Sequence, residues 1–64
     1  MPISAQTAKK ILKSSGAERI GDDAANELAE MLNAIAYSVA KKAVKLAKHA
    51  NRKTVKKADV RLAE

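Results

Sequence analysis

The chain has 64 residues, with 13 Lys and Arg against 7 Asp and Glu, a formal net charge of +6, one histidine and no cysteine. This inventory excludes a disulfide framework and a metal site built from Cys and His. No apolar run approaches the roughly 20 residues of a membrane span. A chain this short buries only about 60% of its unfolded surface, so we predict a single domain over residues 1–64, without tails, that is stabilised by a partner chain.

The apolar residues are aliphatic almost without exception. They make up 47% of the chain, and Tyr37 is the only aromatic residue. Two glycines and one proline, in a chain rich in Ala, Leu and Lys, favour helices over strands, so we predict an all-α fold. The near absence of aromatic side chains argues against a site for single-stranded nucleic acid, because such sites stack bases on aromatic rings.

The first predicted helix is short and has a lysine-rich face. Ser4 can cap its start and Gly16 can stop it. Its apolar face carries residues at helical spacing: Ala8, Ile11, Leu12 and Ser15. The opposite face carries Gln6, Lys9, Lys10 and Lys13. We expect about three turns with a cationic outer surface.

The second predicted helix is long and uninterrupted. It should begin near Gly21 or Asp22, where acidic residues complement the helix dipole, and run to about His49, with Asn51 in the left-handed stop position. No Gly or Pro interrupts this span of roughly 28 residues, which predicts a helix of about 42 Å. Such a helix is longer than a domain of this size is wide.

The long helix carries more apolar surface than two short helices can cover. One stripe comprises Leu28, Leu32, Ile35, Val39 and Leu46, and a neighbouring one comprises Ala25, Ala29, Ala36, Ala40, Ala43 and Ala47. The polar band is narrower and comprises Glu27, Glu30, Asn33, Ser38, Lys41, Lys45 and Lys48. We infer an obligate symmetric dimer with Leu28, Leu32, Ile35 and Val39 in its core, and we expect the alanine stripe to face the second copy.

The last third of the chain comprises a basic connector and a short helix. The segment 51–55 should be a loop with a brief extended piece, followed by a helix from Lys56 to Glu64 that buries Ala58, Val60 or Leu62. Residues 33–64 carry nine basic and two acidic side chains, whereas residues 1–32 carry four and five. A basic excess this dense indicates a polyanionic partner or a solvated face.

Several segments together resemble one known family. They are Gly16-Ala17-Glu18-Arg19-Ile20, Asp22-Asp23-Ala24, residues 43–50, Arg52-Lys53-Thr54-Val55 and Ala58-Asp59-Val60. In this combination the chain is similar to archaeal-type histones, the minimal histone-fold proteins, over residues 3–63. The Arg-Lys-Thr loop with an Asp seven residues after its Arg is the most specific part. The resemblance implies a histone fold of short, long and short helices that forms an intertwined handshake homodimer, with the connectors paired as small parallel strands.

The resemblance also implies residues that bind duplex DNA. Arg19 would enter the minor groove, and Lys53 and Thr54 would contact phosphates. The remaining expected contacts are Lys10, Lys13, Lys45, Arg52 and Lys56. Lys10 stands where a common family pattern has Arg, so we expect it to contact phosphate and not to insert into a groove. Lys9, Lys41 and Lys42 are expected on an ordinary solvated face.

Two further contacts are implied by the same resemblance. Arg52 and Asp59 would form an intrachain ion pair that clamps the second connector onto the last helix. A contact between two dimers would be built from Leu46, His49, Asp59 and Leu62, with His49 bonding Asp59 of the other dimer. The alternative for His49 is a favourable position at the helix C-terminus and nothing more.

The functional expectation is a chromatin protein. Lys and Arg neutralise phosphates irrespective of sequence, and no helix presents a set of side chains suited to reading base edges. We therefore expect sequence-independent binding that bends, wraps or compacts duplex DNA, through homodimers, tetramers or filaments and with paralogous histones as further partners. We expect no enzyme activity, cofactor, metal, small-molecule substrate or membrane, and a cytoplasmic location on the prokaryotic nucleoid.

Two other hypotheses stay open. The chain could be a histone-fold subunit of a transcription-regulatory complex that needs a different partner chain. It could also be a basic dimerisation module that binds RNA or anionic surfaces, which predicts effective competition by RNA at physiological salt.

Overall fold

A computed structural model describes residues 2–64, and this part of the chain is all-α. It contains α1 (Ala5–Ser14), α2 (Asp22–His49) and α3 (Lys57–Ala63), and no strand is found between residues 2 and 64. The order of short, long and short helix is the predicted one. The described residues fall into two units, one ending at Ala34 and one spanning Ile35–Glu64, and α2 contributes to both.

In the first unit, the ends of α1 form as the sequence predicts. The Ser4 hydroxyl accepts a hydrogen bond from the Thr7 amide at 3.2 Å and caps the first turn. After the helix, Gly16 has φ +110°, a conformation that glycine adopts without a steric penalty. The Ala17 amide then donates to the Leu12 carbonyl at 3.1 Å, which satisfies one of the carbonyls left free at the helix end.

Four of the six alanines in the α2 stripe are buried within the single chain, which corrects in part the prediction that the stripe faces a second copy. In the first unit, Ala25 and Ala29 of α2 are buried together with Ala8 of α1. In the second unit, Ala43 and Ala47 are buried together with Ala63 of α3. Small side chains let helices approach closely, and each short helix takes this position on its own half of α2. Ala36 and Ala40 remain exposed.

In the second unit, the left-handed residue Asn51 follows the end of α2, and the extended residue Lys56 precedes α3. Asn51 has φ +57°, and the Arg52 amide donates to the Ala47 carbonyl at 2.9 Å. The helix α3 starts at Lys57, one residue later than predicted.

The buried face of α3 also differs from the prediction. The buried residues are Asp59 and Ala63, whereas Ala58, Val60 and Leu62 are exposed, the last at 76%. The helix turns its small residue and its paired carboxylate inward, because Asp59 is held by hydrogen bonds from the preceding connector. Its larger apolar side chains therefore face outward. None of the described helices is long and apolar enough to cross a membrane.

Candidate nucleic-acid interface

The second connector, residues 50–56, is held by a bidentate ion pair. Arg52 Nη2 donates to Asp59 Oδ1 at 2.8 Å, and Arg52 Nη1 donates to Asp59 Oδ2 at 2.9 Å. The same Nη1 also donates to the Thr54 carbonyl at 3.0 Å, and the Lys56 amide donates to Asp59 Oδ2 at 2.8 Å. Three of these hydrogen bonds join the connector to Asp59 in the first turn of α3. The two residues paired in the sequence analysis are in direct contact.

The charges of this pair reinforce each other. Hydrogen bonds from the Arg52 guanidinium, and then from the Lys56 amide, lower the pKa of Asp59 to about 2. The hydrogen bond to Asp59 likewise raises the pKa of Arg52. Asp59 is only 3% exposed, whereas Arg52 is half-buried. Both groups are charged throughout the neutral range, so the connector keeps one conformation there.

The clamp leaves the other polar side chains of the connector in solvent. Lys53, Thr54 and Lys56 are exposed, while Arg52 points toward Asp59. Of the residues predicted to bind DNA on this connector, three are open to a ligand and one is engaged within the chain. Lys45 on α2 is also exposed.

The first connector, residues 15–21, carries Arg19 as an exposed side chain. The two helices that flank this connector are joined by an ion pair between Lys9 Nζ on α1 and Asp22 Oδ1 at the start of α2, at 2.9 Å. The hydrogen bond from Lys9 lowers the pKa of Asp22. Lys9 was expected on a solvated face, and its pairing with Asp22 was not predicted, because no helical spacing relates positions 9 and 22. Lys10 and Lys13 are exposed on α1.

Asn33 was placed in the polar band of α2, and the structure corrects this. Its side chain is buried and bonds to the backbone of Ile3: Oδ1 accepts from the Ile3 amide at 3.0 Å, and Nδ2 donates to the Ile3 carbonyl at 2.9 Å. Nδ2 also donates to the Ala29 carbonyl at 2.9 Å. Asn33 thereby attaches the segment before α1 to α2. No local sequence signal reports a partner thirty positions away.

The residues predicted for the dimer core are incompletely covered in the single chain. Leu28, Leu32 and Val39 are half-buried, and Ile35 is 61% exposed. Met31, on the same helix, is 53% exposed. This apolar surface is available to a second chain.

Most of the residues predicted for the contact between dimers surround one shallow hollow in the second unit. Leu46, His49 and Leu62 line it together with Lys42, Lys45 and Ala63, and its volume is about 300 Å³. Asp59 is not among the lining residues and is nearly buried against Arg52. The lining of the hollow therefore combines apolar side chains with two lysines.

The acidic residues and His49 do not gather into a metal site. Between residues 2 and 64, no group of three or more His, Asp or Glu side chains lies close enough to hold a metal ion. The exposed charged side chains of the second connector are all cationic and suit phosphate oxygens, whereas the first connector exposes Arg19 beside Glu18.

Comparison with known proteins identifies the family. The model of the family described as histone-like transcription factor (CBF/NF-Y) and archaeal histone matches residues 1–63. One of the subunits of the archaeal histone HAN1 from Thermococcus zilligii is 54% identical over 54 residues, which is 84% of this chain and 81% of that protein. Probable archaeal histone 3 of Methanocaldococcus jannaschii is 52% identical over 54 residues, which is again 84% of this chain and 81% of that protein. With its short, long and short helices, the chain belongs to the family of histone-like transcription factors and archaeal histones.

Proposed function

We propose that this protein is a chromatin protein that binds duplex DNA without sequence preference and bends, wraps or compacts it as a homodimer. The observation that carries the proposal is the clamped second connector, which exposes Lys53, Thr54 and Lys56 on a rigid support. A fixed loop loses less conformational freedom on binding than a mobile one, so its phosphate contacts are more effective. Members of the archaeal histone family bind DNA as chromosome-associated proteins and are not enzymes.

Phosphate contacts account for the proposed affinity. Each phosphate neutralised by Lys or Arg releases counterions, which gives a log–log salt slope of about −0.9 per contact. Lys10, Lys13, Lys45 and the exposed residues of the second connector would provide these contacts. Arg52 would contribute by holding the connector in one conformation. The part of its guanidinium group that is not bonded to Asp59 or Thr54 would also contact a phosphate.

Arg19 has a separate role in the proposal. Its exposed side chain on the first connector would enter the minor groove where that groove faces the protein. An Arg in a narrow minor groove reads groove width and not bases, so it favours DNA that bends easily. This supports bending or wrapping without a recognition sequence.

Self-assembly is part of the same proposal. The half-covered residues Leu28, Leu32, Ile35 and Val39 would form the core of a handshake homodimer. The apolar hollow at Leu46, His49 and Leu62 would join dimers into tetramers or filaments on DNA. Asp59 can take part only through a lone pair of Oδ1, because Arg52 and the Lys56 amide occupy Oδ2.

The test measures affinity for two unrelated 60-bp duplexes at several salt concentrations. We expect equal affinities for both duplexes. Arg19→Ala and Lys53→Ala should each lower the affinity and reduce the salt slope by about one contact per chain, which is about two per homodimer. Lys41→Ala removes the same charge from the solvated face of α2 and serves as the matched control, with its slope unchanged. A strong preference for one duplex, or equal effects of all three variants, would contradict the proposed DNA path.

A second candidate is a histone-fold protein that requires a different partner chain. It is favoured by the family description, which includes transcription factors, and by the name of one relative, which marks it as part of a larger assembly. Under this hypothesis the pure protein would fold poorly and protect no DNA from nuclease. A ladder of protected sizes in regular steps would instead support self-assembly on DNA.

On the homodimer proposal, the protein resides on the nucleoid in a prokaryotic cytoplasm, with DNA, itself and paralogous histones as partners. Unlabelled RNA that competes as well as duplex DNA at physiological salt would point to a generic polyanion-binding module.

A further inference from the structure

A groove lined by lysines and apolar side chains lies on one face of α2 in the second unit. It is lined by Tyr37, Ala40 and Val44 and by three lysines, Lys41, Lys45 and Lys48. The groove has a volume of about 390 Å³. Tyr37 is 51% exposed and Val44 is 40% exposed. We call this feature the Tyr37 groove.

The groove lies on the opposite side of α2 from the proposed dimer core. At about 100° per residue, Tyr37, Val44 and Lys48 lie within about 40° of one another around the helix axis. Ile35 and Val39 lie about 160° from Tyr37 on the same scale. A second chain that covers Ile35 and Val39 therefore leaves the groove open.

The lysines of the groove have no acidic neighbours along the chain. No Asp or Glu occurs between Glu30 and Asp59, and Asp59 is engaged by Arg52. Among the described residues, no ion pair involves Lys41, Lys45 or Lys48. Three cations next to exposed apolar side chains attract a ligand that is both anionic and apolar.

Duplex DNA satisfies only half of this chemistry. Phosphates can approach the lysine ammonium groups, but the sugar-phosphate backbone offers no large apolar group to cover Tyr37 and Val44. Pairing of two such grooves from two copies of the chain is also disfavoured, because each groove carries three lysines and they would repel one another. An acidic protein segment with regularly spaced large apolar residues could pair its carboxylates with the lysines and pack its apolar side chains on Tyr37 and Val44.

We propose that the Tyr37 groove binds an acidic amphipathic segment of a partner protein, with apolar side chains on Tyr37 and Val44 and carboxylates on the lysines. The interaction extends beyond the proposed DNA binding and shares only Lys45 with the proposed phosphate contacts. Such a partner would hold the protein without occupying the connectors.

Tyr37 provides a direct reporter, because the chain contains no other aromatic residue. The probe is an 18-residue peptide with Leu at helical i, i+3, i+4 spacing and Glu elsewhere, free of Tyr and Trp. The control peptide has Ser in place of each Leu and the same charge. We expect the Leu peptide to change Tyr37 emission on binding and to bind at least about fivefold more tightly than the Ser peptide.

Substitutions in and beside the groove test whether the peptide binds there. Tyr37→Ser lacks the fluorescent reporter, so its affinity and that of the wild type are compared by isothermal titration calorimetry. This variant should bind the Leu peptide at least about fivefold more weakly and keep its DNA affinity. Lys41→Glu should weaken peptide binding about tenfold or more, because it places like charges together. The neighbouring Lys42 does not line the groove, so Lys42→Glu is the matched control and should cost less than about threefold. Circular dichroism verifies that each variant keeps its helix content.

Four results would overturn the proposal. The first two are equal affinity for both peptides and no effect of Tyr37→Ser on peptide binding. The third is a loss of DNA affinity in Tyr37→Ser. The fourth is a change of Tyr37 emission when the protein is concentrated without peptide, at concentrations where the dimer is already fully formed. The third result would assign the groove to DNA and the fourth to a second copy. Because DNA binding is measured separately on the same variants, failure of this proposal leaves the proposed function to its own test.

Discussion

Asp59 couples the charge state of the chain to the conformation of the second connector. Its pKa is lowered to about 2 by Arg52 and the Lys56 amide, whereas an unfolded Asp has a pKa near 3.9. Between these values the unfolded chain binds more protons than the folded one, so stability falls as the pH falls. We expect the melting temperature to decrease from about pH 4 to pH 2 as this contribution is lost.

The check is a series of thermal melts followed by circular dichroism at fixed protein concentration. Asp59→Asn should melt at a lower temperature at pH 7 and show a flatter profile between pH 4 and pH 2. Glu27→Gln removes an exposed carboxylate without an ion pair among the described residues and is the control. A wild-type slope retained in Asp59→Asn would show that other carboxylates cause the acid sensitivity.

Asn33 is a second residue whose environment sets its energetic role. Its three hydrogen bonds to backbone atoms are lost in Asn33→Ala, which leaves partly buried groups of Ile3 without partners. We expect the free energy of unfolding to fall by about 1–3 kcal/mol, as measured by urea denaturation. Asn26→Ala, at an exposed position on the same helix, should change it by less than about 0.5 kcal/mol. Equal effects of the two substitutions would mean that the contact with Ile3 contributes no stability.

The contrast between Asn33 and the connector clamp shows which site residues a sequence can reveal. Arg52 and Asp59 lie seven positions apart within one recognisable segment, so a family resemblance identifies the pair. Asn33 acts on Ile3 through a tertiary contact that no local periodicity encodes. The same reason explains why the pairing of Lys9 with Asp22 was missed.

At the scale of the helices, the ends were predictable and the packed faces were not. Ser4, Gly16 and Asn51 act locally through a cap or a positive φ, so the chain itself specifies where α1 and α2 end. Helical periodicity shows which residues share a face but not which neighbour covers that face. The prediction that the alanine stripe faces a second copy was therefore wrong for four of its six residues. The apolar residues Ala58, Val60 and Leu62 of α3 were expected to be buried but are exposed.

The buried alanines of the first unit indicate that α1 and α2 leave little space for larger side chains between them. Ala25 is fully buried, whereas its neighbour Ala24 is exposed. Ala25→Leu should overpack this contact and lower the free energy of unfolding by about 1–3 kcal/mol in urea denaturation. Ala24→Leu adds the same atoms in solvent and should change it by less than about 0.5 kcal/mol. If Ala25→Leu were neutral, the first unit would have room that its buried alanines do not indicate.

At the scale of the whole molecule, the exposed area indicates an incomplete core. The single chain exposes 5319 Å², whereas a compact monomeric protein of this mass exposes about 4,000 Å². The excess exceeds the roughly 800 Å² that each partner buries in a standard interface. Much of it is apolar, at Met31, Ile35, Val60 and Leu62 among others. The proposed homodimer would cover part of this excess.

The final prediction concerns Ile35, which is predicted for the dimer core and is 61% exposed in the single chain. If folding and dimerisation are coupled, the melting temperature should rise with protein concentration, because association stabilises the folded state by mass action. Ile35→Glu would bring two buried carboxylates together across the symmetric contact, so it should lower the melting temperature strongly and shift sedimentation toward monomers. Tyr37→Ser, on the opposite side of α2, should leave both unchanged. A monomer that melts at the same temperature at every concentration would contradict the dimer and would require another partner to cover this surface.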